Sequence, residues 1–172
     1  IAYVTLEPCA HHGATPPCAQ ALIDARVAEL HTAYIDPDHR VDGKGHAMLR
    51  EAGISVHAGE GSAVAGADMR GYLTRKRLGR PAVTLKLAVS ADGMLGRAGE
   101  EVSITGPLAR SVVHRMRAEH DAIAVGRGTA AADDPDLTCR LAGLEHRSPE
   151  RFVIDSDGQL PPNARLVQTA PA

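Results

Sequence analysis

The chain has 172 residues and a formal net charge of −2, and 44% of its residues are hydrophobic and 23% charged. These fractions are typical of globular proteins and exclude wholesale disorder. No apolar run approaches the ~18–20 residues that a membrane-spanning helix needs. The small net charge and an aromatic content of 2% argue against general binding to phosphate backbones or unpaired bases. The length allows one ordinary domain or two small ones.

The first half of the chain alternates between β-favouring and helix-favouring segments. Strands are predicted at residues 4–6, 30–35 and 54–56. Helices are predicted at 18–26, 46–52 and 63–78, each bounded by proline, glycine or a basic cluster. This alternation indicates an α/β protein with a largely parallel sheet covered by helices.

The second half begins at the segment Gly79-Arg-Pro81, where glycine ends one element and proline starts the next. This segment is the best candidate for a domain boundary. Strands are predicted at 83–89, 122–125 and 152–155, and turns over the last ten residues. A helix is predicted at 107–119, because its apolar residues recur on one face.

Two cysteines in the segment Thr5-Leu-Glu-Pro-Cys9 … Pro17-Cys18 indicate a zinc site. Thiolates at a strand end and a helix start are good zinc ligands, and a helix start favours the thiolate form. The competing interpretation is two unrelated buried cysteines. Three cysteines in all do not make a disulfide framework. Cys139 is predicted to have a packing role only.

The third protein ligand of such a zinc ion is open. It is either absent from the chain or is His11 or His12, which lie in the loop between the two cysteines. Ligation from that short loop would be strained. We therefore expect His11 to contact substrate.

In the second half, each short motif taken by itself is weak evidence for a ligand site. Gly126-x-Gly128 after a strand can cradle a phosphate, but it is more often an ordinary tight turn. Asp133-Asp134-Pro135 can be a turn opener. Arg117 and Arg140 can each be a solvated surface charge.

The order of these motifs resembles the bifunctional riboflavin-biosynthesis deaminase–reductase family. In the first half, the cysteine segment and the runs at 36–45 and 48–54 carry the resemblance. In the second half it rests on the runs at 85–93, 104–106, 114–118, 126–129, 132–138 and 154–156. The resemblance implies a cytidine-deaminase-like α/β/α domain at residues 1–79. Part of a dihydrofolate-reductase-like α/β domain would follow at residues 80–172.

The same resemblance implies two cofactors, Zn²⁺ and NADPH. Zinc would be held by Cys9 and Cys18. The catalytic Glu of the family would lie before Ile1, so no catalytic residue is assigned within this chain. Glu7 does not replace that Glu, because it belongs to the cysteine motif itself. The residues at NADPH-contacting positions are Ala88, Ser103, Thr129, Asp133 and Ser156. The residues at substrate-contacting positions are His11, Lys86, Arg117, Leu137 and Arg140.

Four positions depart from the family pattern. Ala14 stands where a basic residue is usual, Arg26 stands at a helix end that often has glycine, and Glu101 removes a substrate contact. We expect Arg26 to cost little. Ser103 stands where the family often has another residue, which weakens its assignment.

The expected function is zinc-dependent deamination of a phosphoribosylaminopyrimidine, followed by NADPH-dependent reduction of its ribosyl group to ribityl. We expect a small-molecule substrate, no nucleic-acid or membrane partner, and a cytoplasmic location, with homo-oligomerisation left open. The 172-residue chain itself is expected to be inactive in both reactions, because family motifs lie before its first residue and after its last.

Three alternatives stay open. A zinc deaminase for free bases or tRNA would have a two-residue gap between its cysteines, not eight. A monofunctional reductase would bind far less than one zinc per chain. A non-catalytic zinc module would show no saturable NADPH binding.

Overall fold

The computed structural model describes residues 1–97, 99–100 and 102–170. The chain divides into two compact units, Ile1–Leu85 and Lys86–Ala172. None of the helices in these described ranges has the length and apolar character that crossing a bilayer requires.

The first unit is built on a three-stranded parallel sheet in the order β1-β2-β3. Its strands are β1 (Ala2–Leu6), β2 (Glu29–Tyr34) and β3 (Ser55–Ala58). Its helices are α1 (Cys18–Asp24), α2 (Lys44–Glu51), α3 (Ser62–Asp68) and α4 (Arg70–Leu78). The strand–helix alternation predicted for this half is confirmed.

The helix predicted over residues 63–78 is divided in two. The backbone of Met69 leaves helical values, with φ −92° and ψ 13°. The Met69 N–H still donates to the Ala65 carbonyl (3.0 Å), so hydrogen bonding continues across the break. The division is therefore a local bend between α3 and α4.

The core of the first unit lies between one face of the sheet and the helices α1 and α2. Its buried members are Ala19, Leu30, Leu49 and Ile54. Because side chains alternate along a strand, β1 and β2 direct Val4 and Leu30 into this core and leave Tyr3 and His31 on the opposite face. That opposite face carries polar and aromatic side chains.

The second unit contains a two-stranded parallel sheet of β4 (Ala122–Gly126) and β5 (Glu150–Ile154). Its helices are α5 (Pro107–Glu119), α6 (Arg127–Asp133) and α7 (Arg165–Gln168), with a 3₁₀ turn at Glu145–Arg147. Ala130, Leu137 and Leu166 form its core. The predicted α/β class with parallel sheets is confirmed, whereas α7 replaces part of the predicted terminal turns.

The prediction of a strand at residues 83–89 is wrong. The segment has no β-ladder partner among the described residues, and Val83, Leu85 and Leu87 are all exposed. A strand needs a neighbouring strand to satisfy its backbone N–H and C=O groups. β-favouring composition alone cannot supply that neighbour.

Candidate functional site

The two cysteines of the first unit lie side by side. Cys9 follows β1, and Cys18 is the first residue of α1. The Cys18 N–H donates to the Cys9 sulfur (3.3 Å), and the Ala19 N–H donates to the Cys9 carbonyl (3.1 Å). The chain thus returns to the strand end and brings both sulfurs to one place.

The protonation of Cys18 differs from the sequence expectation. A hydrogen bond with the Cys9 side chain, followed by burial and the Cys9 charge, raises the pKa of the Cys18 thiol. Two adjacent sulfurs oppose each other's ionisation. The expectation that the start of α1 favours the Cys18 thiolate is therefore corrected for the protein without a metal ion.

No third ligand joins the two sulfurs within the described part of the chain. The only group of three His, Cys, Asp or Glu side chains that the described residues bring to ligand spacing lies elsewhere in the first unit. His12 is exposed, whereas the Nδ1 atom of His11 is buried and has no hydrogen-bond partner among the residues that the structure describes. A buried polar atom of this kind is suited to a bound molecule, and the substrate contact of His11 stays a prediction.

Glu7 has a structural role that the sequence did not reveal. Its side chain is only 4% exposed, and its two carboxylate oxygens accept backbone hydrogen bonds of 2.9–3.3 Å. The donors are the N–H groups of Asp36, Gly43, Gly45 and His46. Glu7, which directly precedes the Pro8-Cys9 segment, therefore fixes the loop between β2 and α2.

The same loop is tied to α4 by charged and polar contacts. The Asp38 carboxylate accepts hydrogen bonds from Nε (3.1 Å) and Nη2 (2.8 Å) of Arg40 and from the Lys76 ammonium (2.6 Å). These partners, Arg40 foremost, hold the pKa of the Asp38 carboxyl far below its usual range. The Tyr72 hydroxyl donates to Asp36 (2.7 Å), and burial together with this contact raises the pKa of Tyr72.

Two glycines make this loop possible. Gly43 has φ +85°, a left-handed backbone that most residues avoid. A Cβ on Gly45 would lie 1.8 Å from the Pro8 carbonyl oxygen, so the start of α2 can approach this segment only without a side chain. The Gly-Lys-Gly run is thus required by geometry on both sides of Lys44.

In the second unit, two of the predicted cofactor residues lie at one edge of the sheet. β4 and β5 are parallel and in register to their ends, so the segments that follow them leave from the same edge. Thr129 lies in the first turn of α6 and Ser156 lies just after β5, and both are exposed. Arg127 and Asp155 form an ion pair there (3.8 Å). Asp133 ends α6 and lies at the opposite end of that helix.

The remaining predicted cofactor and sugar positions are not assembled into this edge. Ala88 and Lys86 lie in the segment that forms no strand within the described ranges, and Lys86 is exposed. The Ser103 hydroxyl accepts a hydrogen bond from Arg110. Glu101 lies outside the described residues, and Ala14 is exposed.

Two of the four predicted substrate residues of the second unit, Arg117 and Arg140, form a cationic pair. Arg117 donates to the Thr138 carbonyl (2.9 Å), and its Nε is buried with no hydrogen-bond partner in the described residues. Burial, and then the charge of Arg140, lowers the pKa of Arg117. The buried Leu137, three residues before Arg140 in the chain, adopts φ +56°, and the Arg140 N–H donates to His114 Nδ1 (3.2 Å). Two neighbouring guanidinium groups with an unused buried donor suit an anion.

Comparison with known proteins shows the family to which the chain belongs. Residues 81–172 match the family model described as the RibD C-terminal domain. The chain is 45% identical to riboflavin biosynthesis protein RibD of Chlamydia muridarum, over 95% of this chain and 45% of that protein. The chain therefore belongs to the RibD C-terminal domain family.

Solved structures show the same relationship. Acinetobacter baumannii RibD, form 1, superposes with a TM-score of 0.85 at 39% identity, covering 96% of this chain and 48% of that one. The structure described as a diaminohydroxyphosphoribosylaminopyrimidine deaminase/5-amino-6-(5-phosphoribosylamino)uracil reductase from Thermotoga maritima gives 0.87 at 35% identity, covering 96% and 47%. The resemblance stated from the motifs is confirmed, and the chain spans about half the length of these relatives.

Proposed function

We propose that the chain contributes to riboflavin biosynthesis as part of a bifunctional deaminase–reductase. Residues 1–79 would form the cytidine-deaminase-like unit and residues 80–172 part of the dihydrofolate-reductase-like unit. The observation that carries the proposal is the likeness to RibD proteins over about 95% of the chain, spanning both sets of motifs. A cytoplasmic location and the lack of a nucleic-acid partner belong to the same proposal.

In the deaminase unit, Cys9 and Cys18 would hold zinc. These ligands fit a zinc ion, because the two cysteine sulfurs lie next to each other. Cysteine sulfurs are common ligands of tetrahedral zinc in proteins. When bound, zinc supplies an activated water at near-neutral pH, as hydrolytic removal of an amino group requires. Glu7 would keep the neighbouring loop in place, and the buried Nδ1 of His11 would contact the pyrimidine substrate.

In the reductase unit, the carboxyl edge of β4 and β5 would receive NADPH. Thr129 and Ser156 are exposed there, and sheet edges of this kind are common nucleotide sites. Ala88, Ser103 and Asp133 are assigned to NADPH by the family resemblance alone, because they do not lie at this edge. NADPH supplies a hydride, and the protein positions it against the ribosyl carbon.

The Arg117–Arg140 pair would bind the phosphate of the substrate. The buried Arg117 Nε is a donor without a partner in the described residues, and Arg140 adds a second charge. The family resemblance assigns Leu137 to the substrate, although its side chain belongs to the core of the second unit, and Lys86 to the carbonyl or hydroxyls of the sugar. This arrangement would favour a phosphorylated substrate over its dephosphorylated form.

The zinc assignment is tested by metal content. We expect the thiolate pair of the full-length protein to hold one zinc per chain, in addition to any zinc bound elsewhere, and Cys9→Ser or Cys18→Ser to remove that one equivalent. Cys139→Ser is the matched control, because Cys139 is buried in the second unit, where its sulfur donates to the His114 carbonyl (3.4 Å). Retention of the zinc in both first-unit variants would contradict the deaminase assignment.

The reductase assignment is tested by kinetics of the full-length protein with the deaminated phosphoribosyl substrate and NADPH. Arg117→Lys is expected to raise KM for the phosphorylated substrate by about tenfold, since one bidentate charged contact is lost. Arg115→Lys is the control, because Arg115 lies on the same helix, exposed and paired with Glu119 (3.5 Å). Equal effects of the two substitutions would argue against a phosphate role for Arg117.

A further inference from the structure

A cluster of imidazole and carboxylate groups lies on the sheet face of the first unit that points away from its core. His31 on β2 and His57 on β3 are register partners, so their side chains share that face. Their rings stack at 4.7 Å with an interplanar angle of 16°. Glu29 Oε1 lies 3.0 Å from His31 Nε2 and 3.1 Å from His57 Nε2. The three ligand atoms therefore converge without any loop rearrangement.

Each ring nitrogen of His31 lies against a carboxylate oxygen. Its Nδ1 is 2.9 Å from Glu60 Oε2, and its Nε2 is 3.0 Å from Glu29. A neutral imidazole carries one N–H and can donate to only one of these carboxylates. With the proton on the Glu60 side, a nitrogen lone pair and a carboxylate oxygen face each other across the Glu29 contact. A cation placed between them would turn this repulsion into two ligand bonds.

The Glu60 contact has the form of a supporting carboxylate in a metal site. Metal-bound histidines commonly donate their other ring N–H to a carboxylate, which fixes the ring and makes the free nitrogen a better ligand. His31 is further held by Tyr3, whose ring stacks on it at 4.7 Å, and its side chain is 15% exposed. One ligand is thus rigid before any ion arrives.

The other two ligands give access from solvent. The side chains of Glu29 and His57 are 33% and 49% exposed. Metal–ligand bonds of about 2.0–2.2 Å place neighbouring ligand atoms of a tetrahedral ion about 3.3 Å apart, close to the present nitrogen–oxygen distances. Because the two imidazoles are stacked, the ring of His57 must turn at the surface to aim its Nε2 at the ion.

We propose that Glu29, His31 and His57 bind one divalent transition-metal ion of the zinc class. Two imidazole nitrogens and one carboxylate oxygen suit Zn²⁺, Co²⁺ or Ni²⁺ and do not suit Mg²⁺ or Ca²⁺, which prefer oxygen ligands. Such an ion would join β2 to β3. The proposal does not depend on the deaminase assignment, because the site uses neither Cys9 nor Cys18.

The test is a calorimetric titration of the tag-free protein with Zn²⁺ in a Cys9→Ser/Cys18→Ser background, which removes the thiolate pair. We expect one equivalent to bind, and His57→Ala to weaken the affinity at least tenfold. His146→Ala is the control, since His146 is an exposed histidine of the second unit. Zinc binding that is absent from the parent, or equally strong in His57→Ala, would overturn the proposal, provided that circular dichroism shows a folded protein.

A second variant separates a built site from two surface histidines that happen to capture metal. Glu60→Gln keeps the shape of the residue that contacts His31 Nδ1 but removes its charge. If Glu60 supports the ligand, the Zn²⁺ affinity falls by about 10–100-fold. An unchanged affinity in Glu60→Gln would show that the Glu60 carboxylate does not support His31 and would reject the site as proposed.

Discussion

At the level of single residues, the C-terminus of α1 carries a cost that the sequence expectation underestimated. Arg26 has φ +54°, while its N–H donates to the Ile23 carbonyl (2.8 Å) and the Val27 N–H donates to the Leu22 carbonyl (3.2 Å). This pair of hydrogen bonds is the Schellman motif, whose left-handed residue is usually glycine. Arg26 is therefore a non-glycine residue in a glycine position.

Arg26→Gly is expected to stabilise the first unit. Relief of the left-handed backbone gains about 1–2 kcal/mol, and the extra freedom of glycine in the unfolded chain returns part of it, leaving about 0.5–1 kcal/mol. All three tyrosines of the chain lie in the first unit, so tyrosine fluorescence during urea unfolding follows that unit.

The end of α2 provides the reciprocal control for this substitution. Gly53 has φ +83° and makes the same two hydrogen bonds, from its own N–H to the Arg50 carbonyl (3.0 Å) and from the Ile54 N–H to Leu49 (3.0 Å). Gly53→Ala should destabilise the unit by a similar amount. A loss of stability in Arg26→Gly would contradict the interpretation.

A larger effect is expected at Gly45. An alanine Cβ there would lie 1.8 Å from the Pro8 carbonyl oxygen, which is backbone and cannot turn away. Gly45→Ala should destabilise the first unit by about 3 kcal/mol and displace α2 from the Cys9 segment. Gly71→Ala, at a helical glycine with open space around it, should be neutral or stabilising. Equal unfolding midpoints for the two variants would refute this account.

At the level of elements, the sequence predicted what depends on neighbours along the chain. The strands and helices of the first unit, and α5, β4 and β5, follow from hydrophobic spacing and from glycine or proline at their ends. The strand predicted at 83–89 failed because pairing depends on distant residues. The sequence missed two contacts for the same reason. The contacts of Glu7 are made with a loop more than twenty residues away, and the contact between His31 and His57 depends on strand register.

The attachment of α4 to the β2–α2 loop is expected to depend on pH. Arg40 and Lys76 lower the pKa of Asp38 in the folded protein. A lowered folded pKa means that the carboxylate stabilises the fold above its unfolded pKa of about 3.9, and that this contribution is lost as the pH falls further. The free energy of unfolding of the first unit should therefore decrease between about pH 5 and pH 2.

Asp38→Asn should remove part of this acid dependence and lower stability at neutral pH. The measurement is urea unfolding followed by tyrosine fluorescence across the acid range. Asp24→Asn is the matched control, because the Asp24 carboxylate is exposed and accepts a hydrogen bond from the Gln20 amide (2.8 Å). An Asp38→Asn protein that keeps the full acid dependence of the wild type would contradict the role given to the ion pairs with Arg40 and Lys76.

At the level of the whole molecule, the proposed ligands divide between the two compact units. Both proposed metal sites use residues of Ile1–Leu85, whereas the proposed NADPH and phosphate contacts use residues of Lys86–Ala172. A ligand stabilises whichever folded region binds it, by about 2.7 kcal/mol at a concentration one hundred times its dissociation constant. The two kinds of ligand should therefore protect different parts of the chain.

Hydrogen exchange followed by mass spectrometry can measure this division peptide by peptide. Zn²⁺ should slow exchange in peptides from β1, β2, β3 and α1 and leave those from β4, β5 and α6 unchanged, whereas NADPH should do the reverse. In the Cys9→Ser/Cys18→Ser background, zinc protection should remain at β2 and β3 and disappear at the start of α1, which separates the thiolate pair from the histidine cluster. Zinc protection spread evenly over both units would contradict the assignment of its ligands to the first unit.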